Sequence, residues 1–220
     1  MKDRGIDAAL FDWSGTLSDD LDVVWRSNDE TLMSFGVPHQ DLESFKEKFI
    51  LPWQSFYSLY GLGTPELLSE VDRRFWKIYR PISEEIEPFP ETLPTLRRIK
   101  GAGIKVAIVT QTKRGPLLEQ IRRFGLDDLV DVAVGAEDAS ELKPSPKPIL
   151  AALEKLGVKP ERAVFTGDMV EDALSGNRAG VKVISIVRRG SYQTEERVRA
   201  GGPFRVAHSM EEAADLILSL

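Results

Sequence analysis

Six short runs of apolar, largely β-branched residues punctuate the chain: IDAALF (6–11), IKVAIVT (104–110), VDVAVG (130–135), RAVFTG (162–167), VKVISIV (181–187) and FRVAHS (204–209). Bounded by glycine or charged residues, they predict strands buried on both faces of a parallel sheet. Between them the apolar spacing turns helical. In SPKPILAALEKLGV, the residues Ile149, Leu150, Leu153 and Leu156 share one helical face, with Ser145 placed as the cap and Gly157 as the stop. Strands alternating with such helices predict an α/β fold, a Rossmann-like doubly wound parallel sheet with right-handed crossovers. Ligands of these sheets bind beyond the carboxyl ends of the strands.

Residues 18–87 break the pattern. The stretch has no clear strand run, carries three of the four tryptophans (Trp25, Trp53, Trp76) and many other aromatics, and shows helical spacing in DVVWRSNDETLMSFG and PELLSEVDRRFWKIYR. It predicts a helical insert, so that 1–17 and 88–220 form the core domain and 18–87 an inserted α-helical cap. The segment IEPFPETLP (86–94), with three prolines, reads as the return linker.

Composition narrows the function. The chain has 220 residues, 42% of them hydrophobic, enough for one core domain with a smaller insert. A net charge of −6 without any Lys/Arg block argues against nucleic acid or an anionic membrane as partner. With no cysteine there are no disulfides, thiolate metal sites or thiol nucleophiles. The charged start Met1-Lys2-Asp3-Arg4-Gly5 leads into too short an apolar segment for a signal peptide or membrane span, and a cytoplasmic protein, monomer or homodimer, is expected.

The strand ends carry the chemistry. They present Asp12 with Ser14, Gly15 and Thr16; Thr110 and Gln111; Lys143 in ELKPSPKP; and Asp168 and Asp172 in VFTGDMVED. Singly, an Asp or Thr at a strand end is more often a cap or turn former. Taken together and in this order, FDWSGT, Thr110, Lys143 and GDMVED resemble the four motifs of the haloacid dehalogenase superfamily over nearly the whole chain.

The resemblance implies a phosphatase in which Asp12 is the nucleophile and Lys143 a catalytic point charge on the phosphoryl oxygens. Mg²⁺ would be held by Asp12, the Ser14 carbonyl, Asp168 and Asp172, with Glu171 as a possible helper. Ser14, Gly15, Thr110, Gln111 and Lys143 would bind substrate, the Thr110 hydroxyl and the turn N–H groups after Asp12 donating to the phosphate. The insert resembles the helical caps of the phosphoglycolate-phosphatase-like branch, with FILPWQSFYSLYGLG (49–63) facing the site and a small phosphorylated metabolite as substrate.

One position departs from the pattern. Family phosphatases usually have an Asp two residues after the nucleophile, acting as acid toward the leaving alcohol; here it is Ser14, which is neutral and a far weaker acid. The lost help is worth about 10²–10⁴ in rate. The expected consequences are slow turnover, a good leaving group, or an acid brought by the insert. DWSGT also resembles the corresponding motif of phosphonoacetaldehyde hydrolases, which cleave a C–P bond with a Schiff-base lysine, and Lys46, Lys48 and Lys77 lie in the insert. A phosphoryl-binding module with little turnover is a further alternative, opposed by the retention of charged groups that are costly to bury together. Haloacid dehalogenation, which needs no metal, would leave GDMVED unexplained. His39, His208 and the pair Arg188 and Arg189 are expected to be incidental, the arginines in a solvated loop.

Overall fold

The computed structural model describes residues 5–220, so the reading of Met1–Arg4 lies outside the described residues. The strands are β1 (Ala8–Phe11), β2 (Ser18–Asp19), β3 (Glu87–Pro88), β4 (Lys105–Val109), β5 (Val132–Val134), β6 (Ala163–Gly167), β7 (Lys182–Ile186) and β8 (Arg205–Ala207). The α-helices are α1 (Leu21–Met33), α2 (Leu42–Lys48), α3 (Trp53–Ser58), α4 (Pro65–Ile82), α5 (Thr92–Gly101), α6 (Arg114–Arg123), α7 (Lys147–Leu156), α8 (Val170–Ala179), α9 (Glu195–Arg199) and α10 (Met210–Ser219).

All six apolar runs form strands of one parallel sheet, ordered β5-β4-β1-β6-β7-β8. Alternation along each strand divides its side chains between two layers. Ala9, Phe11, Val106, Ile108, Val164 and Ile184 pack with apolar residues of α5, α6 and α10. Ala8, Leu10, Ala107, Val109 and Phe165 pack with α7 and the end of α8. Helices on both faces explain why the central strands carry no polar face. β1 lies between β4 and β6, where the order reverses, and the crevice beyond its carboxyl end is the ligand position for a doubly wound sheet.

Two details differ from the sequence reading. In α7 the inward face is Ile149, Ala152, Leu153 and Leu156, while Leu150 is 40% exposed. The residue before α7 is Pro146, and Ser145 accepts the Lys147 N–H only at 3.4 Å; Gly157 does end the helix, at φ 64°. The return segment is more than a linker: Glu87–Pro88 pairs antiparallel with Ser18–Asp19, and α5 begins at Thr92. Pro94 fits there because a helix's first turn leaves its N–H groups without intrahelical partners anyway.

The β2/β3 ribbon leads into and out of α1–α4. These helices share an aromatic cluster of Phe45, Phe49, Phe56 and Tyr57 that also takes in Met169 and Tyr192 from the sheet side. Phe45 stands edge-on to Phe56 at 5.5 Å, and Phe49 lies 5.4 Å from Tyr192. No described helix is long and apolar enough to cross a membrane.

Candidate active site

Asp12 follows the last residue of β1, and its N–H donates to the Thr166 carbonyl at 2.8 Å, so the parallel ladder holds the backbone that presents it. The chain then turns sharply at Gly15, φ 72°, a left-handed conformation in which an L side chain is strained. A Cβ at Gly15 would also lie 2.5 Å from Asp168 Oδ2, so glycine is required twice over. The Gly15 N–H donates to the Ser18 carbonyl at 2.9 Å and to Asp20 Oδ1 at 3.1 Å. The Thr16 and Leu17 N–H groups donate to the Trp13 carbonyl. These donors are engaged inside the turn in this geometry.

Lys143, 1% exposed, reaches between two carboxylates: its Nζ lies 2.5 Å from Asp12 Oδ1 and 2.6 Å from Asp172 Oδ1. Burial alone would push its ammonium down, but attraction to Asp12 and Asp172 outweighs that and leaves it above an ordinary lysine. Asp168, fully buried, accepts the Tyr192 N–H at 2.8 Å and lies 3.4 Å from the Thr16 hydroxyl. Asp172, in the first turn of α8, accepts the Met169 N–H at 3.1 Å.

Asp12, Asp168 and Asp172 each offer a carboxylate oxygen within 4.8 Å of the others. Three buried carboxylates against one ammonium leave two negative charges uncompensated, which is costly in a poorly solvated site. Burial pushes Asp12 up to about 7 against the pull of Lys143, and burial with repulsion from Asp12 and Asp172 raises Asp168 well above the carboxylate range. Hard oxygen donors with this excess charge fit a divalent cation. Glu171 takes no part in the triad; it accepts from the Leu51 N–H and the Gln193 amide, tying the insert to the core.

A cavity of about 180 Å³ opens over Asp12, lined by Ser14, Thr110, Gln111 and Lys143 from the core and by Phe49, Leu51, Trp53 and Tyr57 from the insert. The stretch 49–63 thus does face the site. The Gln111 amide donates to the Lys143 carbonyl at 3.0 Å, leaving its Oε1 a buried acceptor with no partner. The Thr110 hydroxyl lies 3.1 Å from that of Thr112.

Residues 9–186 match the profile of the haloacid dehalogenase-like hydrolases. The chain belongs to that family. Among the hydrolase's relatives, a pyrophosphatase PpaX from Halalkalibacterium halodurans is 35% identical, over 96% of this chain and 97% of that protein. CbbY from Rhodobacter sphaeroides, solved in complex with phosphate, superposes with a TM-score of 0.81 at 27% identity, covering 98% of this chain and all of that one (100%). A haloacid dehalogenase-like hydrolase from Streptococcus pneumoniae, 20% identical with a TM-score of 0.83 over 96% of this chain and 98% of its own, shares the fold.

Several functional neighbours of this hydrolase's site were not apparent from the sequence. Asp20 is buried behind the Ser14–Gly15 turn, accepts the Tyr192 hydroxyl at 3.0 Å and lies within reach of the Ser14 hydroxyl; burial pushes its carboxyl up to about 6. It does not line the cavity. Asp72 and Trp76 from α4 and Lys113 from the loop after β4 do line it. Arg188 is not in a solvated loop: it donates to the Thr16 carbonyl and to Glu91 and stacks on Phe89 at 3.6 Å, bracing the first loop from behind. His39 pairs with Asp29 and His208 with Glu195, both away from the cavity. Among the described residues, no lysine of the insert lines the cavity, so Lys46, Lys48 and Lys77 give no support to a Schiff-base mechanism.

Proposed function

We propose that this chain is a Mg²⁺-dependent phosphatase of small phosphorylated metabolites, working in the cytoplasm, with Asp12 as phosphoryl acceptor. Residues 18–87 serve as its cap over a core of 1–17 and 88–220. The observation that carries this reading is the Asp12–Lys143–Asp172 chain at the floor of the cavity, with Asp168 alongside and two negative charges in excess.

Asp12, Asp168, Asp172 and the Ser14 carbonyl would hold the ion. When bound, Mg²⁺ supplies Lewis-acid screening between the phosphoryl group and the carboxylate that approaches it. Lys143 fixes one Asp12 oxygen and would set its ammonium against the phosphoryl oxygens, while the Thr110 hydroxyl is a donor at the same end of the sheet. Asp12 attacks phosphorus to form an aspartyl phosphate as the ester oxygen departs, and water then releases inorganic phosphate and restores Asp12. Ser14 offers no carboxyl proton to the leaving oxygen. The aromatic residues of 49–63 exclude bulk water around the reacting groups.

The test is phosphate release from a panel of phosphate esters with Mg²⁺ and with EDTA, on wild type and Asp12→Asn. Release that needs both the ion and Asp12 is expected. Release that survives either loss would defeat the proposal.

A further inference from the structure

The charged groups lining the cavity among the described residues are two carboxylates, Asp12 and Asp72, and two ammoniums, Lys143 and Lys113. Both ammoniums are engaged, Lys143 by Asp12 and Asp172, and Lys113 by Asp72 at 2.9 Å. Beyond the phosphoryl site, then, the further ammonium among the described lining residues is balanced by a carboxylate, so a second anionic group would meet a neutral pair rather than a net positive charge. The cavity also holds aromatic surface from Trp53, Tyr57, Phe75 and Trp76. Trp76 is fixed on the wall: its Nε1 donates to Asp72 Oδ1 at 3.1 Å, Lys113 Nζ sits 4.8 Å from its ring, and Tyr79 meets it edge-on at 5.2 Å. The Tyr57 hydroxyl is turned to Asn28, to which it donates at 2.8 Å.

Resting on the phosphatase reading above, we propose that the substrate is an aryl phosphate, in which the leaving oxygen is carried by a planar, uncharged aromatic ring. A carboxylate or second phosphate would meet Asp72 as well as Lys113, whereas an apolar ring would bury itself against the aromatic side chains of the lining. The leaving-group chemistry separates aryl from alkyl esters, though not from an anhydride such as pyrophosphate, whose departing phosphate is a weaker base still. Ser14 cannot donate a carboxyl proton, Asp20 lies behind the turn, and both Asp72 oxygens are taken by Lys113 and Trp76. No carboxyl group of the lining is therefore free to protonate the leaving oxygen, which favours one that bears its own charge. A phenolic oxygen does so with a pKa near ~10, some five to six orders of magnitude below the ~16 of water. In the step proposed, the Asp12–phosphorus bond forms as the bond from phosphorus to the phenolic oxygen breaks. The electron pair leaves as phenolate, which takes its proton from water, and a second water hydrolyses the aspartyl phosphate.

Equilibrium binding to Asp12→Asn protein in Mg²⁺, where turnover is removed, separates affinity from intrinsic reactivity. By tryptophan fluorescence or calorimetry, phenyl phosphate is expected to bind at least about tenfold tighter than butyl phosphate, phosphoglycolate or pyrophosphate. Adding Trp76→Leu should lower the ratio of phenyl phosphate to inorganic phosphate affinity about fivefold or more, and Trp76→Phe should restore most of it. Equal affinity for all four, tighter binding of phosphoglycolate or pyrophosphate, or a ratio indifferent to Trp76→Leu would overturn the proposal. Wild-type phosphate release that depends on Asp12 without the aryl preference would sink this inference and leave the phosphatase standing. Absence of release from every compound would sink both.

Discussion

Lys143 Nζ lies 2.5 Å from Asp12 Oδ1, although the two residues are 131 positions apart in the sequence. The same ammonium, 1% exposed, is the partner of Asp172, so one buried cation organises the proposed nucleophile and a proposed metal carboxylate together. Lys143→Met would leave these carboxylates facing one another without compensation. We predict a loss of about 3–5 kcal/mol in EDTA, the usual consequence of removing one member of a buried ion pair, with phosphate release abolished. Denaturant unfolding of the variant with and without Mg²⁺ checks it, and the ion should restore part of the loss.

Asp12→Asn removes the proposed nucleophile but keeps its shape. Phosphate release should fall by at least about 10³-fold while the unfolding midpoint in EDTA stays or rises, since a buried charge near Asp168 is gone. Calorimetry alongside the activity assay separates the two effects.

The pH dependence of stability has a definite sign. Asp12 ionises at 3.8 unfolded and at about 7 in the folded, metal-free protein, and Asp168 is raised as well. The native state therefore binds more protons than the unfolded chain across that window. The stability these groups contribute is full below the unfolded value and is lost as pH rises toward 7. A divalent cation favours the ionised forms, so the difference in unfolding midpoint between Mg²⁺ and EDTA should widen with rising pH over the same range. A difference that shrinks with pH would contradict the assignment of these carboxylates to the ion.

Position 14 can be rebuilt. Ser14→Asp alone places a carboxylate beside buried Asp20, and the repulsion should destabilise the turn. Ser14→Asp with Asp20→Ser removes that conflict. The double variant should hydrolyse alkyl phosphates faster, by up to about 10²-fold, with a smaller gain on aryl phosphates, whose leaving oxygen needs no proton. Steady-state kinetics on a matched ester pair measures it.

The sheet and the four candidate positions at its strand ends were legible because they depend on local sequence. Strands β4 and β6 are largely apolar, since helices cover both faces, and each is followed directly by a proposed site residue, Thr110 or Asp168. The β2/β3 ribbon was not legible, as two residues per strand give no periodicity. Asp20 looked like one of a pair of ordinary acids; only the turn at Gly15, which needs φ 72°, folds it back against Ser14 and Tyr192. The Lys113–Asp72 pair joins a core loop to an insert helix across 41 residues, a contact that no local pattern encodes. Leu150 was misplaced because an apolar residue in an apolar stretch does not itself say which side of a helix is buried.

The most direct test of the account is to find where the phosphoryl group goes. Wild-type protein mixed with phenyl phosphate and Mg²⁺, quenched in acid within the first turnovers and analysed by peptide mass spectrometry, should carry one phosphoryl group on the peptide containing Asp12, absent in EDTA and in Asp12→Asn. Steady turnover with no phosphoryl group on that peptide, or with the label on another residue, would contradict it.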